Sequence, residues 1–240
     1  MDMKFDAYTW RARVQPVYFT AAPAVLAVAT TVPEGLTLPL GGASAIVFLS
    51  LPYFMGQVAS DFGKRLEPSL WDSWDGPPTT RFLRHDNDEF NAATRKRIHT
   101  QLRALGLKVP TADEEESDRE QALLLYDSAV DELRRQTRDS DRFNLLHKTN
   151  IEYGFRRNLL GLKPTGLAIT TVALVATGWS LYGAWHDNGP VPPVPLVTTL
   201  LNSCVALGWL VGVRAKTVRL TAERYAQRLL EAALDLEPRT

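Results

Sequence analysis

The sequence predicts an all-α, polytopic membrane protein, with four transmembrane helices in two pairs flanking a cytoplasmic helical domain. Three observations carry this expectation. Charge is absent from Val14 to Thr31, from Gly35 to Ser60, from Pro164 to Trp185 and from Asn188 to Val213. Each window is about the length of the roughly 20 mainly apolar residues that cross a bilayer. The windows are joined pairwise by short connectors without Lys or Arg, and the segment between the pairs is densely charged and helical in pattern. Four organised domains follow: a first helix pair over 1–60, a sensor domain over 61–163, a second pair over 164–213 and an amphipathic helix over 214–240.

Within the first pair, Pro16, Pro23, Pro39 and Pro52 interrupt the apolar runs. Membrane helices tolerate proline when neighbouring groups satisfy the freed carbonyls. Ala27-Val28-Ala29 resembles a signal-peptide cleavage site, but Asp2 and Asp6 precede it and apolar helix recurs downstream, so a retained span is expected. Orientation follows from the cations. The 31–41 connector holds Glu34 alone, and HDNGPVPPVP from His186 has no Lys or Arg. Lys4, Arg11, Arg13, Lys64, Arg65, Arg156, Arg157, Lys163, Arg214, Lys216 and Arg219 all fall on the other side. The positive-inside rule then makes both termini and the middle region cytoplasmic. Trp179, Tyr182 and Trp185 are placed for an outer aromatic belt and Trp10 for an inner one.

The middle region opens on SLWDSWDGPPTTRFLRHDND, residues 69–88. Gly76-Pro77-Pro78 forbids continued helix and forces a turn. Trp71 and Trp74 would seat the preceding helix end at the membrane surface. Three helices are then expected. The first runs from about Asp88 to Leu105, stops at Gly106 and has the apolar stripe Phe90, Ile98, Leu102 and Leu105. The second starts after Thr111, where T-A-D-E has capping-box spacing, and continues to about Arg138. The third runs from about Asp141 to Leu160, with Lys163-Pro164 as its junction with the third span. Its stripe of Phe143, Leu146, Asn150, Tyr153, Arg157 and Leu160 includes two groups costly to bury without partners, Asn150 and Arg157.

After the fourth span, Val218, Ala222, Tyr225, Leu229, Ala232 and Leu236 recur at the spacing of a coiled-coil seam. That seam packs against the cytoplasmic helices or against copies of itself. The single Cys204 lies inside the fourth span, which excludes an intramolecular disulfide. Net charge is zero, so any electrostatic steering comes from local patches.

No catalytic constellation emerges. Zinc-protease, C-x-x-C, Walker and nucleophile-elbow motifs are absent. Asp86-Asn87-Asp88-Glu89 reads as N-terminal capping rather than a metal site. Neither an enzyme nor a cofactor is expected. What recurs is cationic charge beside aromatic surface. Trp74, Arg81, Arg84 and His85 lie in the opening stretch; Arg95, His99 and Arg103 share one helix flank at steps of four. Asn150, Tyr153, Arg156 and Arg157 follow on the third helix. Arginine suits forked recognition of phosphate, while Trp, Tyr and Asn suit nucleobases. Each patch alone has a simpler account, pairing with nearby acids or with lipid phosphates. Recurrence over three segments points to an anionic nucleotide ligand.

FDAYTWRARVQP, LWDSWDGPPTTRFLRHDND and NIEYGFRRNLLGLK resemble segments of a family of bacterial membrane proteins encoded beside nucleotidyltransferases in anti-phage defence operons, the Hailong transmembrane effectors. The resemblance covers most of residues 5–163. It implies a homotetrameric, channel-like effector held inactive by DNA oligomers that the partner nucleotidyltransferase makes. The residues themselves leave a cyclic nucleotide equally open. They also leave open a different class, a membrane scaffold whose cytoplasmic helices recruit a partner protein.

A pore needs polar groups on one helix face. Thr170, Thr177 and Ser180 offer this on the third span, and Thr198 and Asn202 on the fourth. Cys204, Gly208 and Gly212 recur every four residues, which lets helix backbones approach closely in an oligomer.

Overall fold

A computed structural model describes residues 8–31, 42–187 and 189–237. The connector bearing Glu34, the first residues of the expected second window and Lys4 lie outside the described residues. Within them the chain is all helical, in line with the predicted fold class. In order come a π-helical stretch Thr9–Val14, α1 (Gln15–Thr31), α2 (Gly42–Ser73), α3 (Pro78–Arg81), α4 (Ala92–Ala104), α5 (Ala112–Ser117) and α6 (Arg119–Gln136). Then follow α7 (Asn144–His186), α8 (Pro193–Leu207), a second π-helical stretch Gly208–Gly212, and α9 (Ala215–Ala232), closed by a 3-10 turn at Ala233–Asp235. Two compact units divide the chain: Met1–Leu66 with Gly154–Thr217, and Glu67–Tyr153 with Val218–Thr240.

Three helices among the described residues are long and apolar enough to cross a membrane: Thr9–Thr31, Asn144–His186, which belongs to the first unit from Gly154 on, and Pro193–Gly212. The fourth expected span falls partly outside the described residues, and its described part opens α2. The expected helix break at Lys163-Pro164 is corrected. α7 continues through Pro164 as one helix of 43 residues. At 1.5 Å per residue it is on the order of 65 Å long, about twice a bilayer's apolar thickness.

Packing in this unit depends on small residues. A Cβ on Gly161 would sit 2.7 Å from the backbone nitrogen of Gly63, so α2 and α7 cross almost backbone to backbone. A Cβ on Gly166 would meet the Trp209 ring at 2.4 Å. Lys163 Nζ donates to the Val213 carbonyl at 2.7 Å, satisfying an acceptor freed where the second π-helical stretch ends. The outside is apolar: Phe19, Val28, Phe54, Val172, Leu200 and Leu210 are all more than half exposed.

The second unit has the opposite organisation. Phe82, Ile98, Leu102, Tyr126, Leu133 and Leu229 form its buried core, with most charged residues outside and Arg84 and Glu115 buried. The α9 seam packs here: Val218, Ala222, Leu229 and Ala232 are buried, and Leu229 and Ala232 join the same core as α4 and α6. The seam is therefore an intrachain surface. Leu236 joins the core from beyond the helix, after the 3-10 turn.

Local chemistry shifts three expected boundaries. α4 starts at Ala92, four residues late, because Asn91 supplies the cap by accepting from Thr94 N–H at 2.8 Å. The Asp86–Glu89 run is not that cap. The Thr111–Glu114 capping box forms as expected, but it opens only the six-residue α5. Asp118 leaves helical geometry and its carboxylate caps α6 through Gln121 N–H, splitting the expected helix in two. At α7, Asp139 accepts the amides of Asp141 and Arg142, so the helix begins at Asn144.

Candidate functional site

The elbow of the second unit starts where α2 ends. Gly76 N–H donates to the Trp71 carbonyl, and Asp75 and Gly76 take positive φ of 62° and 104°. Pro77 caps α3 and Pro78 occupies its first turn, where a missing N–H costs nothing. Trp74, Thr79 and Thr80 are buried beneath this turn. The expected turn is present, with the threonines turned inward, Thr80 donating to Asp127.

The expected ligand cations of this unit have partners within it. Arg81 donates to the Trp74 carbonyl at 2.8 Å and pairs with Glu223 at 2.7 Å. Arg84, 7% exposed, forks onto both Asp86 oxygens and reaches Asp75 Oδ2 at 2.6 Å. The Arg84 hydrogen bonds hold the Asp86 carboxyl below its usual range. His85 Nε2 contacts the Pro110 carbonyl at 3.1 Å, and its backbone N–H donates to Glu115, which also accepts from Tyr126 OH. Arg95 donates to the Asn87 carbonyl, and Arg103 forks onto the Val109 and Pro110 carbonyls. His99 is buried, its Nε2 donating to the Leu83 carbonyl at 2.8 Å, and burial pushes its pKa down to about 4. The shared flank of Arg95, His99 and Arg103 is real. It closes the irregular segments around 83–87 and 109–110, whose carbonyls have no helix or sheet partners of their own.

On α7, Tyr153 lies half-buried, donates to Glu67 at 2.8 Å and stacks on Tyr225 with rings 6.4 Å apart. Asn150, one turn earlier, is half-buried. Both belong to the second unit, whereas Arg156 and Arg157 belong to the first. Arg156 is half-buried. Arg157 is buried, and its Nε and Nη2 approach Asn158 Oδ1 at 3.3 Å. Asn158 is fully buried and donates to the Ala12 carbonyl at 2.8 Å. Asn158 was not among the expected site residues. Its signal was present: Gly154, Asn158 and Gly161 recur at steps of four and three, the small-and-polar pattern of membrane helix contacts.

The five expected pore-facing residues all turn inward in the first unit. Thr170, Thr177, Thr198 and Asn202 are buried and Ser180 is half-buried. The four hydroxyls donate to their own helix carbonyls one turn back, at 2.7 to 3.3 Å. Asn202 differs. It is 0% exposed, and neither its Nδ2 nor its Oδ1 has a hydrogen-bond partner among the described residues. Trp209, seven residues on, also buries its indole N–H without one. An orphaned amide costs about 1–3 kcal/mol, so this face of α8 carries an expense that packing does not require.

No group of three His, Cys, Asp or Glu residues suited to a metal occurs among the described residues. No family model matches the chain, and no curated protein or solved structure matches it either.

Proposed function

We propose that the chain is a ligand-controlled, pore-forming membrane effector. It sits in the bacterial inner membrane through four helices, the fourth being the start of α2, with both termini and the Glu67–Tyr153 region cytoplasmic. The carrying observation is the Asn202 amide, fully buried and unpartnered within a bundle whose outside is apolar. Thr170, Thr177, Ser180 and Thr198 line the same interior. A polar interior in an apolar coat suits a path for water or ions that opens when the helices move apart. No charge lies along those faces, so selectivity is weak and opening depolarises the membrane.

Four helices seldom enclose a water path alone, so symmetry completes it. Cys204, Gly208 and Gly212 face outward from α8, and nothing lies within 4 Å of a Cβ added at either glycine. A homotetramer built on that face is the assembly proposed. Its signal is a nucleotide or single-stranded DNA oligomer, made by a nucleotidyltransferase of the same operon. The defence role and this source rest on the resemblance of three segments. Because Arg81, Arg84, Arg95 and Arg103 already have internal partners, a phosphate ligand acts by competing with those carbonyls and carboxylates.

The test is conductance. Asn202→Leu and Thr177→Val should insert and assemble normally, yet depolarise cells less than the parent. Equal depolarisation by both variants would remove these faces from the path. The internal satisfaction of the cations favours a second reading, a non-channel scaffold that recruits a protein through its helices. Nucleic acid copurifying with the protein, read as raised 260 nm absorbance, supports the effector; a protein-only spectrum with a stoichiometric protein partner supports the scaffold.

A further inference from the structure

The described part of the first unit has a one-sided charge distribution. It contains Arg11, Arg13, Lys64, Arg65, Arg156, Arg157, Lys163, Arg214 and Lys216, and only two acids, Asp61 and Asp187. Contacts gather the cations at one end. Asn158 donates to the Ala12 carbonyl and packs over Gly63, and Lys163 donates to the Val213 carbonyl. Residues 11–13, 63–65, 156–163 and 213–216 therefore meet; of the two acids among the first unit's described residues, Asp61 lies beside them and Asp187 follows the far end of α7. Some of this charge has structural work, as at Arg157 and Lys163. Arg11, Lys64, Arg65, Arg214 and Lys216 are exposed, and none enters an ion pair among the described residues.

We propose that these five side chains form a binding surface for the headgroups of anionic phospholipids. Two features select this occupant. The first is charge complementarity: five exposed cations without an ion pair among the described residues leave a field that lipid phosphates neutralise, by roughly a fivefold gain in partitioning per basic residue. The second is continuity with apolar surface. Tyr18, Phe19, Phe54 and Leu210 are exposed on the same helices, and the Arg65 guanidinium lies over the Phe62 ring at 5.9 Å. A phospholipid has that order of chemistry, a charged head followed by an acyl chain. Free phosphate lacks the apolar part, and a nucleic acid would leave Phe19 and Leu210 in water. The inference rests on the membrane placement of this unit, and it adds a selectivity that placement alone does not require.

The full chain, purified in a mild detergent, is exposed to an equimolar mixture of phosphatidylglycerol and phosphatidylcholine, and bound lipid is counted by native mass spectrometry. Preferential retention of phosphatidylglycerol is expected. The triple variant Arg11→Gln, Lys64→Gln, Arg65→Gln should lower that preference by more than about tenfold, each charge contributing about fivefold. Arg65→Lys should retain it, since charge rather than fork geometry is read. The exposed Arg138→Gln in the second unit should also retain it. Excess inorganic phosphate or a short DNA oligomer should leave the preference in place. Equal retention of the two lipids, an unaltered preference in the triple variant, or displacement by phosphate or by DNA would each overturn the proposal. Detergent-dependent extraction from membranes separates the two failures. A chain that is membrane-integral but indifferent to headgroup charge loses this inference and keeps the placement; a chain that extracts without detergent loses both.

Discussion

The two units differ in the balance of what they bury and what they expose. The second hides Ile98, Leu102, Leu133 and Leu229 and leaves most of its charges in water, the buried Arg84 and Glu115 excepted. The first hides Thr20, Ser60, Asn158, Thr170, Thr177 and Asn202, and exposes Phe19, Val172, Trp179 and Leu200. In water the first arrangement would be driven to rearrange, because apolar area removed from water contributes roughly 25 cal/mol per Å². In a bilayer that driving force vanishes, and close backbone packing and interhelical hydrogen bonds decide instead. Under the proposed membrane placement, the contrast means that one chain folds under two solvents. The hydrophobic effect stabilises the second unit; small-residue fit stabilises the first.

Four tests, built on five substitutions, break or sharpen that contrast. The largest effect is expected at Gly161→Leu. The site meets the Gly63 backbone, which cannot move aside as a side chain can, so the cost should exceed the roughly 1–3 kcal/mol of ordinary overpacking. Thermal unfolding in detergent should show loss of the folded first unit, and a near-parental transition would refute the close crossing.

Next comes a matched pair. Leu229→Ala, in the core of the second unit, should cost about 3 kcal/mol in a denaturant titration. Leu207→Ala, 61% exposed on α8, should cost less than about 0.5 kcal/mol, as surface substitutions do. Equal costs would erase the two-solvent distinction.

The third concerns acid. His99 is neutral in the native state, with a pKa held near 4 by burial, against an ordinary value of 6.5. Between those values the unfolded chain binds more protons, so stability is complete above about pH 6.5 and falls as pH drops towards 4. The loss is bounded at about 3 kcal/mol and reduced by residual solvation. His99→Phe should flatten that slope, whereas no such dependence is expected in variants of the first unit's polar face.

The smallest effect has the opposite sign. Asn202→Leu removes an unpartnered amide and should stabilise the first unit by about 1 kcal/mol, even as it reduces conductance. Destabilisation would mean that the amide has a partner in the membrane.

Much of this contrast was legible in the sequence. Uncharged windows separated the units' materials, and the α4 stripe at Ile98, Leu102 and Leu105 named a core that formed. Asn202 stood out because an amide inside an apolar run has few cheap explanations. The cations are ambiguous in the sequence for a physical reason. Arginine and histidine that close irregular loops have the same local spacing as arginines that grip phosphate. Only tertiary contacts, such as Arg84 with Asp75 and Asp86, separate the two. The crossing of Gly63 and Gly161 was illegible for a related reason: it joins residues 98 positions apart, and no local periodicity encodes their partnership. Likewise, the single helix expected from Thr111 to Arg138 concealed the cap that the Asp118 carboxylate supplies to α6.

The central claim is that the apolar outside of the first unit faces lipid. Cys204 tests it most directly, being the sole cysteine and exposed on α8. Right-side-out and inverted membrane vesicles are treated with a charged, membrane-impermeant maleimide, then dissolved in denaturing detergent and treated again. Lipid or a neighbouring copy should shield the thiol, leaving Cys204 unlabelled from both sides and fully labelled after denaturation. Rapid labelling in intact vesicles from either side would place this face in water and contradict the account.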